Sequence, residues 1–258
     1  MNTTAASIET GPLAGRAPRH QRLAVAAAIA VLSASAAAVL VVLPDHAHSA
    51  GGGNWAATVA VAFALWVLMS VAMMLPTAWR FVSTYLDIAH AARDKAVTVP
   101  SISVLVAGYL VVWVGYSAVA AIVQVSLQSA GLGLSGHGTV NPGFAGMLLI
   151  CAGLYELTPL KSACLSKCRN PFTVLFARFR PDRGRIFRLG AEQGLFCLGC
   201  CWALMALMLA TGILHLGFMA ILAAVMAAQK HWAMPRFDTP FGLMLIAGGL
   251  ALVAWSGA

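Results

Sequence analysis

Two cysteine-bearing blocks decide how this chain is read: YELTPLKSACLSKCRNP (residues 155–171) and, after a basic segment, GLFCLGCCW (residues 194–202). Five of the chain's six cysteines lie in them: Cys164, Cys168, Cys197, Cys200 and Cys201. On helices the first two cysteines stand at i and i+4 and the other three at i, i+3 and i+4, so each group shares one face. Each block lies where a hydrophobic run meets the basic segment. This pattern predicts two membrane helices that carry cysteines at the same depth.

The composition is that of an integral membrane protein. The chain has 258 residues, of which 60% are hydrophobic and only 9% are charged, whereas soluble domains carry about 25% charged residues. The mean hydropathy is +0.85. The net charge of +8 is assigned to membrane topology and to contacts with anionic lipid heads. No aromatic-basic module accompanies the charge, so nucleic acid is not an expected partner.

Seven hydrophobic runs are predicted to cross the bilayer: 23–43, 55–75, 101–127, 142–160, 195–214, 216–229 and 241–255. About 20 helical residues span a hydrocarbon core of about 30 Å. The first run is longer than a signal-peptide core and is read as an uncleaved helix. The predicted fold is therefore all-α, a polytopic transmembrane helix bundle. A disordered tail (1–22) precedes a single transmembrane domain (23–258).

The basic residues predict the orientation of these spans. With the amino terminus in the cytoplasm, all 16 Lys and Arg residues fall in four inner segments, and the outer segments hold none. The inner segments are 1–22, 76–100, 161–194 and 230–240. This is the positive-inside pattern. It predicts a multi-pass protein of the bacterial inner membrane, embedded in the lipid bilayer, with 161–194 as a basic cytoplasmic loop.

The five clustered cysteines are predicted to bind a soft metal ion. In this topology they face the reducing cytoplasm, where structural disulfides are disfavoured. Thiolates select Cu(I), Zn and related ions, and copper(I) is the leading ion with zinc as another. The spacing is not that of a zinc finger or a ferredoxin, so the prediction depends on the clustering. Cys151 lies in the middle of a span and is assigned to packing.

Three further residues are candidate ligands at the same depth. Glu156 is an acid inside a span, where ionisable groups tend to mark sites; the alternative is a structural pair with Lys161. Met73 offers a thioether, although methionine also fills gaps in cores. His231 offers an imidazole at the inner end of the sixth run, and the alternative is an ordinary interfacial histidine.

Several blocks resemble a known family. The blocks AMMLPTA (72–78), residues 155–171, GLFCLGCCWALM (194–205) and KHW (230–232) are similar to the bacterial "predicted metal-binding integral membrane protein" family. The resemblance covers roughly residues 55–235 and implies a metal-binding role. Its motif cysteines fall on the five selected above, and its acid falls on Glu156.

The expected function is metal acquisition, transfer or insertion, with a soluble or membrane metal-handling partner. No phosphate-binding loop of the GxxxxGK[ST] type occurs, which argues against an ATP-driven pump. Whether the chain is an enzyme stays open, since a membrane thiol-disulfide oxidoreductase would use the same cysteines. A structural or assembly protein whose cysteines only pack is the third alternative. A shared metal site requires sulfurs of the two groups within about 4 Å, because metal–sulfur bonds measure about 2.3 Å.

Overall fold

The computed structural model describes residues 17–42, 54–131, 141–211, 216–231 and 235–256. Its described part contains eleven helices and no strand, which confirms the all-helical prediction. The helices are α1 (Arg19–Val42), α2 (Trp55–Thr77), α3 (Trp79–Arg93), α4 (Ile102–Ser129), α5 (Pro142–Glu156), α6 (Pro159–Arg169), α7 (Pro171–Arg178), α8 (Arg183–Ala206), α9 (Met208–Thr211), α10 (Leu216–His231) and α11 (Pro235–Ser256). Residues 1–16 of the predicted tail lie outside the described residues. Helix α1 begins at Arg19, before the predicted end of the tail at residue 22.

Five of the described helices are long and apolar enough to cross a membrane, or six if α5 and α6 form one broken span. These criteria concern length and composition only. The sixth predicted run corresponds to α10, which has 16 residues and is not among the five. The prediction of about seven spans and of a cytoplasmic amino terminus stays a prediction.

The fourth predicted run, 142–160, is not one straight helix. α5 ends at Glu156, and α6 begins at Pro159 after a bend of 66°. Proline has no N–H to donate into a preceding turn but fits the first turn of a new helix. The Thr158 hydroxyl accepts from the Lys161 amide at 3.3 Å and so caps α6. The corner turns the first cysteine-bearing helix away from the axis of α5.

The basic segment 161–194, predicted as a loop, is largely helical. It contains α6, α7 and the first turns of α8, which begins at Arg183. The Asp182 carboxylate caps α8 by accepting from the Arg185 amide at 3.1 Å, a common way to satisfy the free amides of a first turn. The inner segment 76–100 likewise carries α3.

The contact between α4 and α8 depends on glycine. A Cβ on Gly108 would overlap the Phe187 carbonyl oxygen, and Gly190 meets the α4 backbone in the same way. Such small residues let two helix backbones approach closely. A matching contact joins α5 and α11, where a Cβ on Gly146 would lie 2.7 Å from the Gly249 carbonyl oxygen. The α4–α8 contact holds Tyr109, which follows Gly108, against the cysteine-bearing face of α8.

The buried core surrounds the cysteines. Trp66 and Met69 of α2, Trp113 of α4 and the α8 cysteines belong to one apolar cluster. On the outside of the bundle many large apolar side chains are exposed, among them Val119 and Ile221. The molecule thus has a polar and sulfur-rich interior site inside an apolar exterior.

Candidate metal centre

Three thiols of α8 form the centre of the candidate site. Cys197, Cys200 and Cys201 lie on the helix face that turns into the bundle, and their exposed fractions are 3%, 1% and 2%. Their sulfur atoms all lie within 4.8 Å of one another. The Sγ atoms of Cys200 and Cys201 are 3.3 Å apart. These three residues are a compact set of soft ligands in a place that excludes water.

The two cysteine groups meet in space. Cys168 of α6 lies with its Sγ 3.7 Å from the Sγ of Cys200, within the distance that a shared site requires. Cys168 is half-buried, whereas the three thiols of α8 are buried. We name Cys168, Cys197, Cys200 and Cys201 together the thiol site.

The spacing of these sulfurs fits ligation of one ion. With metal–sulfur bonds of about 2.3 Å, two sulfurs on one ion lie about 4.6 Å apart in linear, about 4.0 Å in trigonal and about 3.8 Å in tetrahedral geometry. The Cys168–Cys200 distance of 3.7 Å and the Cys200–Cys201 distance of 3.3 Å match these values to within about half an ångström, and the three sulfurs of α8 all lie within 4.8 Å of one another. Soft thiolates in a buried pocket suit Cu(I) or Zn(II).

Cys164 lies apart from the thiol site although it shares a helix with Cys168. Its Sγ packs on the α8 backbone, where a Cβ added to Gly199 would come within 2.6 Å of it. The carbonyl oxygen of Gly199 also accepts a hydrogen bond from the Tyr155 hydroxyl. Cys151 is exposed on α5. The structure therefore brings together four of the five predicted cysteine ligands.

Lys230 is a functional candidate that sequence reasoning missed. Its side chain is 4% exposed, and its Nζ lies 3.1 Å from the Sγ of Cys197. The same Nζ donates to the Thr77 hydroxyl at 2.8 Å and contacts the Met74 sulfur at 3.7 Å. A lysine at the end of an apolar run was assigned to topology, and no spacing rule marks it as inward-facing.

Tyr109 is a second residue that the sequence did not single out. Its hydroxyl lies 3.0 Å from the Sγ of Cys197 and 3.2 Å from the Met74 carbonyl oxygen. A phenol can donate to a thiolate or accept from a thiol. Cys197 therefore has two polar neighbours: the Lys230 ammonium can stabilise its ionised form, while the Tyr109 hydroxyl, which donates to the Met74 carbonyl oxygen, can accept from its thiol.

Met73 and His231 take different positions from the thiols. Met73 is buried in the same apolar cluster, whereas the sulfur that contacts Lys230 belongs to its neighbour Met74. The side chain of His231 is exposed. Partial desolvation lowers its pKa below the usual value, and the positive charges of Arg80 and Lys230 lower it further. His231 thus lies at the end of α10 beside Arg80, and its neighbour Lys230 points inward.

Glu156 belongs to a separate buried network at the α5–α6 corner. Its carboxylate is in an ion pair with Lys161, and both side chains are almost completely buried. The Gln229 amide bridges them: its Nε2 donates to Glu156 at 2.9 Å, and its Oε1 accepts from Lys161 at 3.0 Å. Gln229 precedes Lys230 on α10, so this network lies next to the thiol site along the helix but shares no hydrogen bond with it among the described residues.

Replacing Lys161 with methionine is expected to lower the free energy of unfolding by about 3 kcal/mol or more, because the buried Glu156 carboxylate loses its ammonium partner. The double variant Glu156→Gln/Lys161→Met removes both charges and is expected to recover most of that loss. Denaturant titration of the detergent-solubilised protein measures both. If the Lys161→Met variant is as stable as the parent, the Glu156–Lys161 ion pair does not stabilise the fold in this way.

A polar cavity lies at the carboxyl end of α6, the helix that carries Cys168. It has a volume of about 490 Å³ and is lined by Arg22, Arg80 and Arg169, among others. Arg169 follows Cys168 in the chain, and its Nε donates to the Gln229 carbonyl oxygen at 2.7 Å. Arg80 lies one helical turn beyond Thr77. Cys168 is thus the thiol whose chain neighbour lines this basic cavity, in which three arginines outnumber one acid, Asp87.

The chain belongs to a copper chaperone family, PpoB2, whose sequence profile matches residues 63–252. No curated protein and no solved structure matches the chain. The family match supports the metal-binding family that the sequence blocks predict. It covers every residue of the thiol site together with Lys230 and Tyr109. The bacterial and membrane character stays a prediction.

The family and the buried cysteine cluster together support copper-related metal binding. The donors are soft, buried and spaced for one ion, which is the chemistry that a copper chaperone requires. Copper would be the cargo of such a protein.

Proposed function

We propose that the chain is a multi-pass protein of the bacterial inner membrane that receives Cu(I) on its cytoplasmic side and passes it to a metal-handling partner. The observation that carries the proposal is the convergence of four thiols from two helices, with the Cys168 and Cys200 sulfurs 3.7 Å apart. A site that only packs would not need to bring four polarisable sulfurs and a buried ammonium together.

The membrane location is supported by two properties of the chain. Five described helices have the length and apolar composition of membrane spans, and the exterior carries exposed apolar side chains such as Leu195 and Leu243. All 16 basic residues fall in segments that one orientation places on the same side. In this orientation the thiol site and the arginine-lined cavity face the cytoplasm.

Cys168 is the thiol that first receives copper in this proposal. It is half-buried and adjoins the basic cavity through Arg169. A Cu(I)–thiolate donor, which carries negative charge, is attracted to the arginines there. The bond from copper to a donor sulfur breaks as a bond to Cys168 forms, and the Cys168 proton passes to the departing donor thiolate. Copper stays Cu(I); as its bond to Cys168 breaks and a bond to a buried thiol of α8 forms, the proton of that thiol passes to the Cys168 thiolate.

Metal content after anaerobic purification in mild detergent tests the proposal. The wild-type chain from copper-supplemented cells is expected to retain stoichiometric Cu(I), and the Cys197/Cys200/Cys201→Ser variant is expected to retain almost none. Cys151→Ser is the matched control, because this thiol is exposed on α5 and outside the thiol site. If neither the wild type nor the triple variant contains stoichiometric copper or zinc, the proposal is wrong.

The 3.7 Å contact between Cys168 and Cys200 also favours a second candidate, a thiol-disulfide oxidoreductase. Two thiols at this distance can form a disulfide after a small movement. A Cys200→Ser variant that accumulates a mixed disulfide with a partner at Cys168, in a protein that binds no copper, would favour this candidate over the first.

A further inference from the structure

The ammonium group of Lys230 is held by three contacts at the thiol site. Its three contacts are the Cys197 sulfur at 3.1 Å, the Thr77 hydroxyl at 2.8 Å and the Met74 sulfur at 3.7 Å. A protonated lysine has three N–H donors and no acceptor, so these three groups match its full donor capacity. Burial of the side chain to 4% exposure leaves no room for water to replace them.

Among the described residues, no carboxylate contacts the Lys230 ammonium. The nearby acid, Glu156, is engaged by a different lysine, Lys161. A buried charge is costly unless a charge of opposite sign balances it. Among the three groups that contact the Lys230 ammonium directly, the thiol of Cys197 is the one that can supply that charge, as a thiolate.

We propose that Lys230 sets the ion selectivity of the thiol site by placing a fixed positive charge beside the cargo, which favours Cu(I) over divalent ions such as Zn(II). This inference rests on the proposed function. An ion bonded to Cys197 at about 2.3 Å lies roughly 4 Å from the Lys230 nitrogen when the bonds at sulfur meet near a right angle. The repulsion between this ammonium and the ion doubles when the ion's charge doubles.

The charge balance points in the same direction. Two thiolates, one Cu(I) and the Lys230 ammonium sum to zero, and a neutral cluster suits a buried site. With the same two thiolates, Zn(II) and the ammonium instead leave a net charge of +1 in the interior, which is costly in a buried site. The positive charge of Lys230 therefore influences which ion the thiol site binds. Lys230 is a specificity-determining residue and does not need to be a ligand of that ion.

The test compares Cu(I) and Zn(II) affinities of the full-length protein in detergent under anaerobic conditions. Competition with a Cu(I)-specific and a Zn(II)-specific chromogenic chelator gives each affinity. Lys230→Met is expected to lower the ratio of Cu(I) to Zn(II) affinity at least tenfold, whereas Lys230→Arg, which keeps the positive charge, is expected to preserve it. Lys230→Gln replaces the methionine variant if that variant does not fold, since its amide can still donate to Thr77.

The matched control is Glu156→Gln/Lys161→Met, which removes a buried ammonium that does not contact the thiol site. It is expected to leave the affinity ratio unchanged. An unchanged ratio in the neutral Lys230 variants, or equal weakening of both ions, would overturn the inference while copper binding by the wild type still upheld the proposed function. Failure of the wild type to bind Cu(I) at all would instead defeat the proposed function.

Discussion

Replacing Cys200 with serine is expected to lower the Cu(I) affinity by at least about a hundredfold. Cys200 is the central thiol: its Sγ lies 3.3 Å from that of Cys201 and 3.7 Å from that of Cys168. Loss of a residue that merely orients a ligand already costs about 10- to 100-fold in metal affinity. A serine hydroxyl is a hard donor that Cu(I) binds poorly.

The fold is expected to tolerate this change. The Cys200 thiol donates to the Cys197 carbonyl oxygen at 3.1 Å, and a serine hydroxyl can make the same hydrogen bond. Thermal unfolding of the metal-free variant should therefore stay close to that of the parent. The loss of affinity then reports on ligation and not on misfolding.

Cys164→Ser is the matched control, because both cysteines belong to the sequence-predicted ligand set. The sulfur of Cys164 packs against Gly199, and its replacement is expected to change Cu(I) affinity by less than about threefold. Competition with a Cu(I) chelator measures both variants. Equal losses in the two would contradict the division between Cys164 and the thiol site.

The all-helical class and the convergence of the two cysteine groups could be predicted from the sequence. Hydrophobic runs mark where most of the long helices lie, and the cysteine spacing indicates which residues share a face, whereas the break before Pro159 was not predicted. These features predicted that Cys168 and Cys200 would lie at the same level. They did not determine how far each helix is rotated about its own axis.

The rotation of a helix about its own axis determines which of two successive residues points into the bundle. Successive residues on a helix differ by about 100°, so Lys230 can point to the thiols while His231 is exposed. Sequence reasoning chose His231 because imidazole is a common ligand. The bend after Glu156 likewise turns α6 so that Cys168 meets Cys200 and Cys164 meets the backbone at Gly199. Tertiary contacts, not local pattern, fix both outcomes.

Replacing Gly108 with alanine is expected to lower the free energy of unfolding by about 3 kcal/mol or more and to weaken copper binding at the same time. The new methyl group would overlap the carbonyl oxygen of Phe187. Backbone atoms cannot move to another rotamer, so the helices must separate, and overpacking of this kind costs about 1–3 kcal/mol or more. Separation would also move Tyr109 away from Cys197, which it contacts at 3.0 Å.

Gly115→Ala is the matched control on the same helix, since a Cβ there meets nothing within 4 Å. Alanine is the better helix former by up to about 1 kcal/mol, so this variant should be as stable as the parent or slightly more stable. Gly190→Ala, on the opposite side of the α4–α8 contact, should reproduce the Gly108 effect. Thermal unfolding in detergent and Cu(I) competition measure all three. Equal stability of the Gly108 and Gly115 variants would mean that the two helices do not pack as closely as the structure has them, and the thiol site would then lack the Tyr109 contact that this packing supplies.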